Sequence, residues 1–310
     1  MGWPARRSGT RAAMLVAVAV LAAVASLLAT LAAAPSSSAR SSDHGASFAV
    51  RCDYVLEPDR RLPDDPIVHP GMPGMAHSHD FFGNLTTNAH STYESLLGQE
   101  TTCTRPKDTA AYWIPTVSWK DQNGTQTLTS NRAVFYYRAG GKDHKKVKPF
   151  PAGLKIIADA EKRVTWRCGQ TDNGGGSQNP PSRCDVPEPE LGVRIIFPDC
   201  LDVARNGEPR VDSDNHRSHM AYSRRIDGKV RCPRSYPRSV PVLTMNATFP
   251  IPNTPGKVTL SSGGASTMHA DFFNAWDQEE LNRLVVSCIN QVPPSKPRPE
   301  ECQVNPPPPS

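Results

Sequence analysis

Three short stretches hold most of the residues able to do chemistry: His77-Ser78-His79-Asp80-Phe81-Phe82-Gly83, Asp214-Asn215-His216-Arg217-Ser218-His219 and His269-Ala270-Asp271-Phe272-Phe273. Five of the nine histidines lie in them. Imidazole is neutral near pH 7, so clustered histidines can bind a metal or relay a proton without burying several charges. His77 and His79 are two residues apart, so on a strand both rings project from one face. His216 and His219 are three apart and converge if their segment makes a helical turn.

Asp214 and Asp271 have the chemistry to fix an imidazole tautomer or to bind a metal directly. The expected site has His79, His219 and His269 as metal ligands, with Asp271, His77 and His216 as acid–base groups. Zinc, copper or manganese suits this ligand mix; calcium would want more carboxylates. The plainer reading of a histidine beside two phenylalanines is a core residue bonded to a backbone carbonyl. Phe81-Phe82 and Phe272-Phe273 read as core wedges beneath the site. Tyr112-Trp113, Trp119, Tyr136-Tyr137 and Trp276 are the aromatics available to stack on sugar rings, although packing in a β core accounts for each of them as well.

The elements that must position these groups are short strands. Ala111 to Trp119, Arg132 to Arg138, Leu154 to Ala158, Leu191 to Phe197 and Lys257 to Leu260 carry the β-branched and aromatic residues of half-buried sheet. The strongest helix signal is Asp277 to Ile289. Asp277 caps it, and Leu281, Leu284, Val285, Cys288 and Ile289 share a face. Strands and helices do not alternate regularly, which predicts a β-rich α+β fold: an antiparallel β-sandwich-like single domain with a C-terminal helix.

Residues 1–39 read as a signal peptide. Arg6, Arg7 and Arg11 precede an apolar run from Met14 to Ala34. That run is long enough to span a bilayer, so an uncleaved N-terminal anchor is the alternative and the one route to a membrane. Removing the segment leaves 32 Lys+Arg against 30 Asp+Glu, a balance that argues against a polyanion-binding surface and against nucleic acid as a partner. The basic run Lys142 to Lys148 lacks interleaved aromatics and reads as a solvated loop. Residues 40–47 are a Ser-rich spacer, 48–290 a single domain, and 291–310 a Pro-rich disordered tail. Gly169 to Pro189 reads as an insertion loop. All eight cysteines lie beyond the leader with no C-x-x-C pair, which predicts a disulfide framework in an exported protein. Cys168–Cys184 and Cys200–Cys232 are the favoured pairs.

The ordered blocks Asp65-Pro66-Ile67-Val68-His69-Pro70-Gly71, His77-Ser78-His79, Ala111-Tyr112-Trp113-Ile114-Pro115, Phe150-Pro151-Ala152-Gly153-Leu154, Phe197-Pro198-Asp199-Cys200, His216-Arg217-Ser218-His219-Met220-Ala221-Tyr222, Cys232-Pro233 and His269-Ala270-Asp271-Phe272 resemble the DUF1996 family of secreted domains. The resemblance covers nearly the whole domain. It implies an extracellular or wall-associated protein, loosely linked to polysaccharide through the carbohydrate-binding modules joined to fungal members, and it implies no reaction. Two positions depart from the family pattern: Leu201 stands where Trp is usual, and Tyr236 where His is usual.

No G-x-S-x-G elbow, H-E-x-x-H helix, P-loop or G-x-G-x-x-G is present. Asp64-Asp65 and Asp271 are the carboxylates from which a glycosidase pair would be drawn. Of the sequons at Asn84, Asn123 and Asn246, none is decisive. Two functions therefore stay open. One is a secreted, metal-dependent enzyme acting on polysaccharide or another cell-envelope polymer. The other is a non-catalytic glycan- or wall-binding module with structural histidines.

Overall fold

The computed structural model describes residues 1–2, 45–55, 60–159, 163–169 and 176–304. The signal segment and most of the Ser-rich spacer lie outside the described residues. The chain divides into Met1–Ser42 and Asp43–Ser310, and every described strand lies in the second unit. Among the described residues no helix is long and apolar enough to cross a membrane.

In chain order the strands begin with β1 (Ser47–Asp53), β2 (Arg61–Leu62), β3 (His79–Gly83), β4 (Ala111–Pro115), β5 (Val117–Asp121), β6 (Gly124–Thr127) and β7 (Arg132–Arg138). They continue with β8 (Lys155–Ala158), β9 (Val164–Cys168), β10 (Glu190–Ile196), β11 (Cys200–Leu201), β12 (Met220–Ala221) and β13 (Arg224–Ile226). The last six are β14 (Lys229–Arg231), β15 (Arg238–Ser239), β16 (Val242–Pro250), β17 (Gly256–Leu260), β18 (Gly263–Gly264) and β19 (Ala270–Phe273).

Two five-stranded antiparallel sheets dominate. One has the order β1-β7-β16-β10-β9, the other β2-β3-β4-β19-β8. They pack face to face on aromatics: Tyr112 of β4 stacks on Phe135 of β7 with ring centroids 3.8 Å apart, and Phe272 of β19 lies 5.2 Å from Tyr112. A polar chain crosses the same interface. The Trp276 indole donates to the Tyr137 hydroxyl at 3.0 Å, that hydroxyl meets the Tyr112 hydroxyl at 2.6 Å, and Tyr112 donates to Asp108 at 2.9 Å. Burial pushes the Asp108 carboxyl up to about 8. A β-rich α+β fold with sandwich-like layers is therefore what the chain adopts.

The predicted strands form with small shifts at their ends, and the run Ala111 to Trp119 breaks at Thr116 into β4 and β5. Asp277 accepts from the Glu280 amide at 2.9 Å and caps the helix Gln278–Leu284, which continues as a wider π turn over Val285–Asn290. Four disulfides form: Cys52–Cys103, Cys168–Cys184, Cys200–Cys232 and Cys288–Cys302. Both favoured pairs are among them.

Two low-complexity readings are corrected. The described part of Gly169–Pro189 is not a free insertion. Ser177 exchanges two backbone hydrogen bonds with Trp166 (2.7 and 2.8 Å), and Cys184 is buried. Nor are residues 291–304 a disordered tail. Cys302 is fully buried, Arg105 donates to the carbonyls of Glu301 (2.6 Å) and Gln303 (3.2 Å), and Arg298 donates to the Ser47 hydroxyl at 3.1 Å. Composition misled here because this segment is held by its backbone carbonyls and a disulfide rather than by apolar side chains.

Truncation after Gln291 combined with Cys288→Ala is therefore expected to destabilise the domain. Losing a disulfide that closes a loop of this length costs about 3 kcal/mol, and each lost hydrogen bond about 1 kcal/mol more. Denaturant unfolding measures it, and an unchanged midpoint would show that the segment is dispensable.

Candidate metal centre

Along β3, β4, β19 and β8, Phe82, Tyr112, Phe272 and Ile156 enter the main core. Their neighbours Phe81, Trp113, Phe273 and Ile157 form a second, smaller cluster on the opposite face of the sheet. The two-residue period of a strand places His79 on the face of Phe81, and Asp271 on the face of Phe273. The register sets His79 opposite Pro115 of β4, while Asp271 stands opposite Trp113. Continuing that register two residues further would set His269, just before β19, level with Pro115 as well. The compact proline ring at the end of the central strand lets the two flanking imidazoles meet above it.

They meet closely. His79 Nε2 and His269 Nε2 are 3.4 Å apart. Each ring is held from behind by a carbonyl: His79 Nδ1 lies 2.9 Å from the Asp64 carbonyl, and His269 Nδ1 lies 2.9 Å from that of Thr267. A carbonyl can only accept, so both rings carry their proton on Nδ1 and turn an Nε2 lone pair towards each other. His77 completes the group, with its ring centroid 4.2 Å from that of His79 and 5.1 Å from that of His269. Its Nε2 is buried with no hydrogen-bond partner. One potential ligand atom from each of the three lies within 4.8 Å of the others.

Burial lowers the proton affinity of all three rings, that of His79 most; neighbouring imidazoles add to the effect at His77 and His79, while at His269 the Thr267 carbonyl partly opposes it. Asp271 lies beside them, its Oδ2 3.6 Å from His269 Nε2, and both carboxylate oxygens are buried without a hydrogen bond. Burial, and after it the Asp65 carboxylate, hold the Asp271 carboxyl well above the usual range. The group opens on a cleft of about 450 Å³ lined in part by Asp65, His69, Asp159, Arg217, Ser262 and Thr267. That volume is of the size that takes a small molecule or one unit of a polymer.

The second histidine block does not join the group. His219 Nε2 lies 2.7 Å from the Lys155 carbonyl and its Nδ1 lies 3.0 Å from the Ser213 hydroxyl, so both ring nitrogens are already engaged. Of the expected set His79, His219 and His269, the structure brings together His79 and His269 with His77 in a group that could hold a metal, and leaves His219 outside it. His216 sits at a left-handed φ of 55° with Nδ1 2.8 Å from Asp212 Oδ1. It fixes a turn rather than facing the cleft, and its carboxylate partner is Asp212, not Asp214. What this block gives the cleft is Arg217. The Asn215 side chain accepts the Arg217 and Ser218 amides (3.1 and 2.8 Å), and the Arg217 guanidinium pairs with Asp159. Tyr236, one of the two departures from the family pattern, donates to the Ser218 carbonyl at 3.1 Å and braces this turn. Leu201, the other, is fully buried.

The remaining candidates resolve into structure. Both Asp64 oxygens accept backbone amides, from Gly74 and Ala89 at 3.0 Å each, and Asp65 Oδ1 accepts from Ile67 and Val68. Asp64 therefore cannot serve a glycosidase pair without breaking its loop. Its carbonyl, which no side-chain motif announces, is what orients His79. Tyr112, Trp113, Trp119, Tyr137 and Trp276 are fully buried and Tyr136 nearly so, which removes all six as sugar platforms. Asn84 and Asn246 are buried, so Asn123, in the exposed turn between β5 and β6, is the one accessible sequon.

Layered antiparallel sheets, a disulfide framework and a trio of histidines with a carboxylate beside them together define the domain. The chain belongs to the family described as Domain of unknown function (DUF1996), whose sequence profile matches residues 65–276. The matched span contains the whole histidine group and Asp271. No curated protein and no solved structure matches the chain.

Ring-nitrogen NMR tests the geometry without any metal. At pH 6 an ordinary histidine is largely charged. His79 and His269 are expected to remain neutral there, with the proton on Nδ1. Nε2-protonated or cationic rings at that pH would contradict the arrangement.

Proposed function

We propose that His77, His79 and His269 hold a divalent transition metal, and that the protein is an exported metal-dependent enzyme acting on polysaccharide or another cell-envelope polymer. The observation that carries this is the confrontation of two Nε2 lone pairs across 3.4 Å, each fixed by a carbonyl behind its ring. Two nitrogens bound to zinc at about 2.0–2.1 Å in a tetrahedron stand roughly 3.3–3.4 Å apart. A carbonyl behind each ligating imidazole is also the usual means of fixing its tautomer. Zinc suits this spacing, and copper or manganese are the other candidates the ligand types admit.

A metal held by three imidazoles would keep a position open for water. The chemistry it would supply is Lewis-acid activation of that water, and Asp271, beside His269, is the carboxylate that would take the proton. The same cation would draw the Asp271 carboxyl down from the high value that burial imposes on the bare group. Arg217, at the cleft edge, supplies positive charge for an oxygen of the substrate.

The alternative, a glycan-binding module with structural histidines, loses its main support with the burial of all six candidate aromatics. Export rests on the arginine-led leader and on the pairing of all eight cysteines.

The test combines metal analysis of untagged protein with release of reducing ends from cell-envelope polysaccharide. Wild type is expected to carry about one metal per chain and to release product. His79→Ala and His269→Ala should lose both metal and activity. Asp271→Asn should keep the metal and lose rate by about 10²-fold or more, as for a missing general base. His219→Ala should keep the metal and lose about 1–3 kcal/mol of stability. Stoichiometric metal without turnover, together with equal polysaccharide binding by wild type and the histidine variants, would favour the module.

A further inference from the structure

A second concave surface lies apart from the histidine cleft and shares no lining residue with it. It is a groove of about 1300 Å³ between the Gly141–Lys148 loop, the β13–β14 hairpin and the segment from Cys232 to Ser239. Eight of its seventeen lining residues are Lys or Arg against one acid, Asp143. That surplus of seven exceeds the formal net charge of +5 for the whole chain, so everything outside the groove is net negative. The near-neutral balance of the chain hid this surface, because its cations come from two stretches far apart in sequence, 142–148 and 225–238, and acids elsewhere offset them.

Two of the eight cations are already paired. Lys142 is buried against Asp199, and Lys146 lies 3.5 Å from Asp143. The buried pair corrects the reading of Lys142–Lys148 as a merely solvated loop, because it anchors one wall of the groove. Asp199 also accepts the Ser223 amide at 2.7 Å, and the Cys200–Cys232 disulfide ties the far end of the hairpin to β11. The walls are thus set before any ligand arrives. Lys148, Arg225, Lys229, Arg231, Arg234 and Arg238 have no carboxylate partner within 4.0 Å among the described residues. Among the lining residues, Arg238 Nε and the Ser239 hydroxyl are both buried without a hydrogen-bond partner. A buried guanidinium N–H with no acceptor costs free energy until an anion supplies one.

We propose that this groove binds an extended acidic polysaccharide, its carboxylate or sulfate groups pairing with the row of guanidinium and ammonium groups and one of them reaching Arg238 and Ser239. A volume above the usual range for small-molecule sites, together with six unpaired cations, fits a chain of repeated anions better than a single ion. The lining holds no aromatic residue, so bases of single-stranded nucleic acid would find no stacking platform. The inference stands on the groove alone and is independent of the metal at the histidine group.

Binding to polygalacturonate, heparin, neutral dextran and single-stranded DNA, measured by fluorescence anisotropy at 50 and 300 mM salt, tests it. Wild type should bind polygalacturonate or heparin and not dextran, with affinity falling at least tenfold at the higher salt. The first probe reports carboxylate preference and the second sulfate preference. Arg231→Glu/Arg234→Glu, both exposed and outside the core, should weaken binding more than tenfold with an unchanged Tm. Arg238→Gln should weaken it as well. His79→Ala should bind as wild type does, which separates this surface from the metal site. Absence of binding to both acidic polysaccharides, an unaffected double variant, or DNA bound as tightly as either polysaccharide would overturn the proposal.

Discussion

Two imidazoles, each locked from behind by a backbone carbonyl, present lone pairs to one another across 3.4 Å, and the sheet and the Asp64 loop hold them there. Left alone, such an arrangement is repulsive. Rotating either ring to relieve it would break a buried hydrogen bond, at a cost of about 1–3 kcal/mol for the group left unpaired. The fold resists that relaxation because His79 is fully buried beside Phe81, and its Nδ1 acceptor belongs to a loop stapled through both carboxylate oxygens of Asp64. A cation bound between the rings would remove the repulsion.

The positions of the rings follow from the sheet. Antiparallel pairing of β3 and β19 on either side of β4 brings residues 190 positions apart in sequence within a hydrogen-bond length. The central strand ends in Pro115, which sets no long side chain between them. On the other face, Tyr112, Phe135 and Phe272 bind this sheet to its partner, with the Asp108–Tyr112–Tyr137–Trp276 chain running through the same contact. Strand register, core packing and imidazole geometry are therefore one constraint, and slipping β19 by a single residue would turn Asp271 into the core and Phe272 out of it.

Much of this was legible in the sequence. The H-x-H and H-x-D spacings announced residues sharing strand faces, and the Phe pairs announced alternate burial beneath them. Asp277 announced its helix, and the absence of C-x-x-C pairs announced disulfides. Other features depended on tertiary partners that no local pattern reveals. The three-residue spacing of His216 and His219 fits a helical turn that would bring His219 to the metal ligands. Instead one His219 nitrogen meets the Ser213 hydroxyl of its own turn and the other the distant Lys155 carbonyl, and the turn sends Arg217 to the cleft. Residues 291–304 looked unstructured because their anchors, Arg105 and Cys288, lie elsewhere in the chain. The basic groove was invisible to a net charge that averages over surfaces.

The central claim is that the three rings share one metal through the nitrogens left without a protein acceptor, and X-ray absorption at the zinc edge of zinc-loaded protein tests it most directly. The expected spectrum shows about three imidazole nitrogens at roughly 2.0–2.1 Å, with oxygen completing the shell. In His269→Ala the imidazole count should fall by one or the metal be lost. A shell built from oxygen alone, or one unchanged by the substitution, would contradict it.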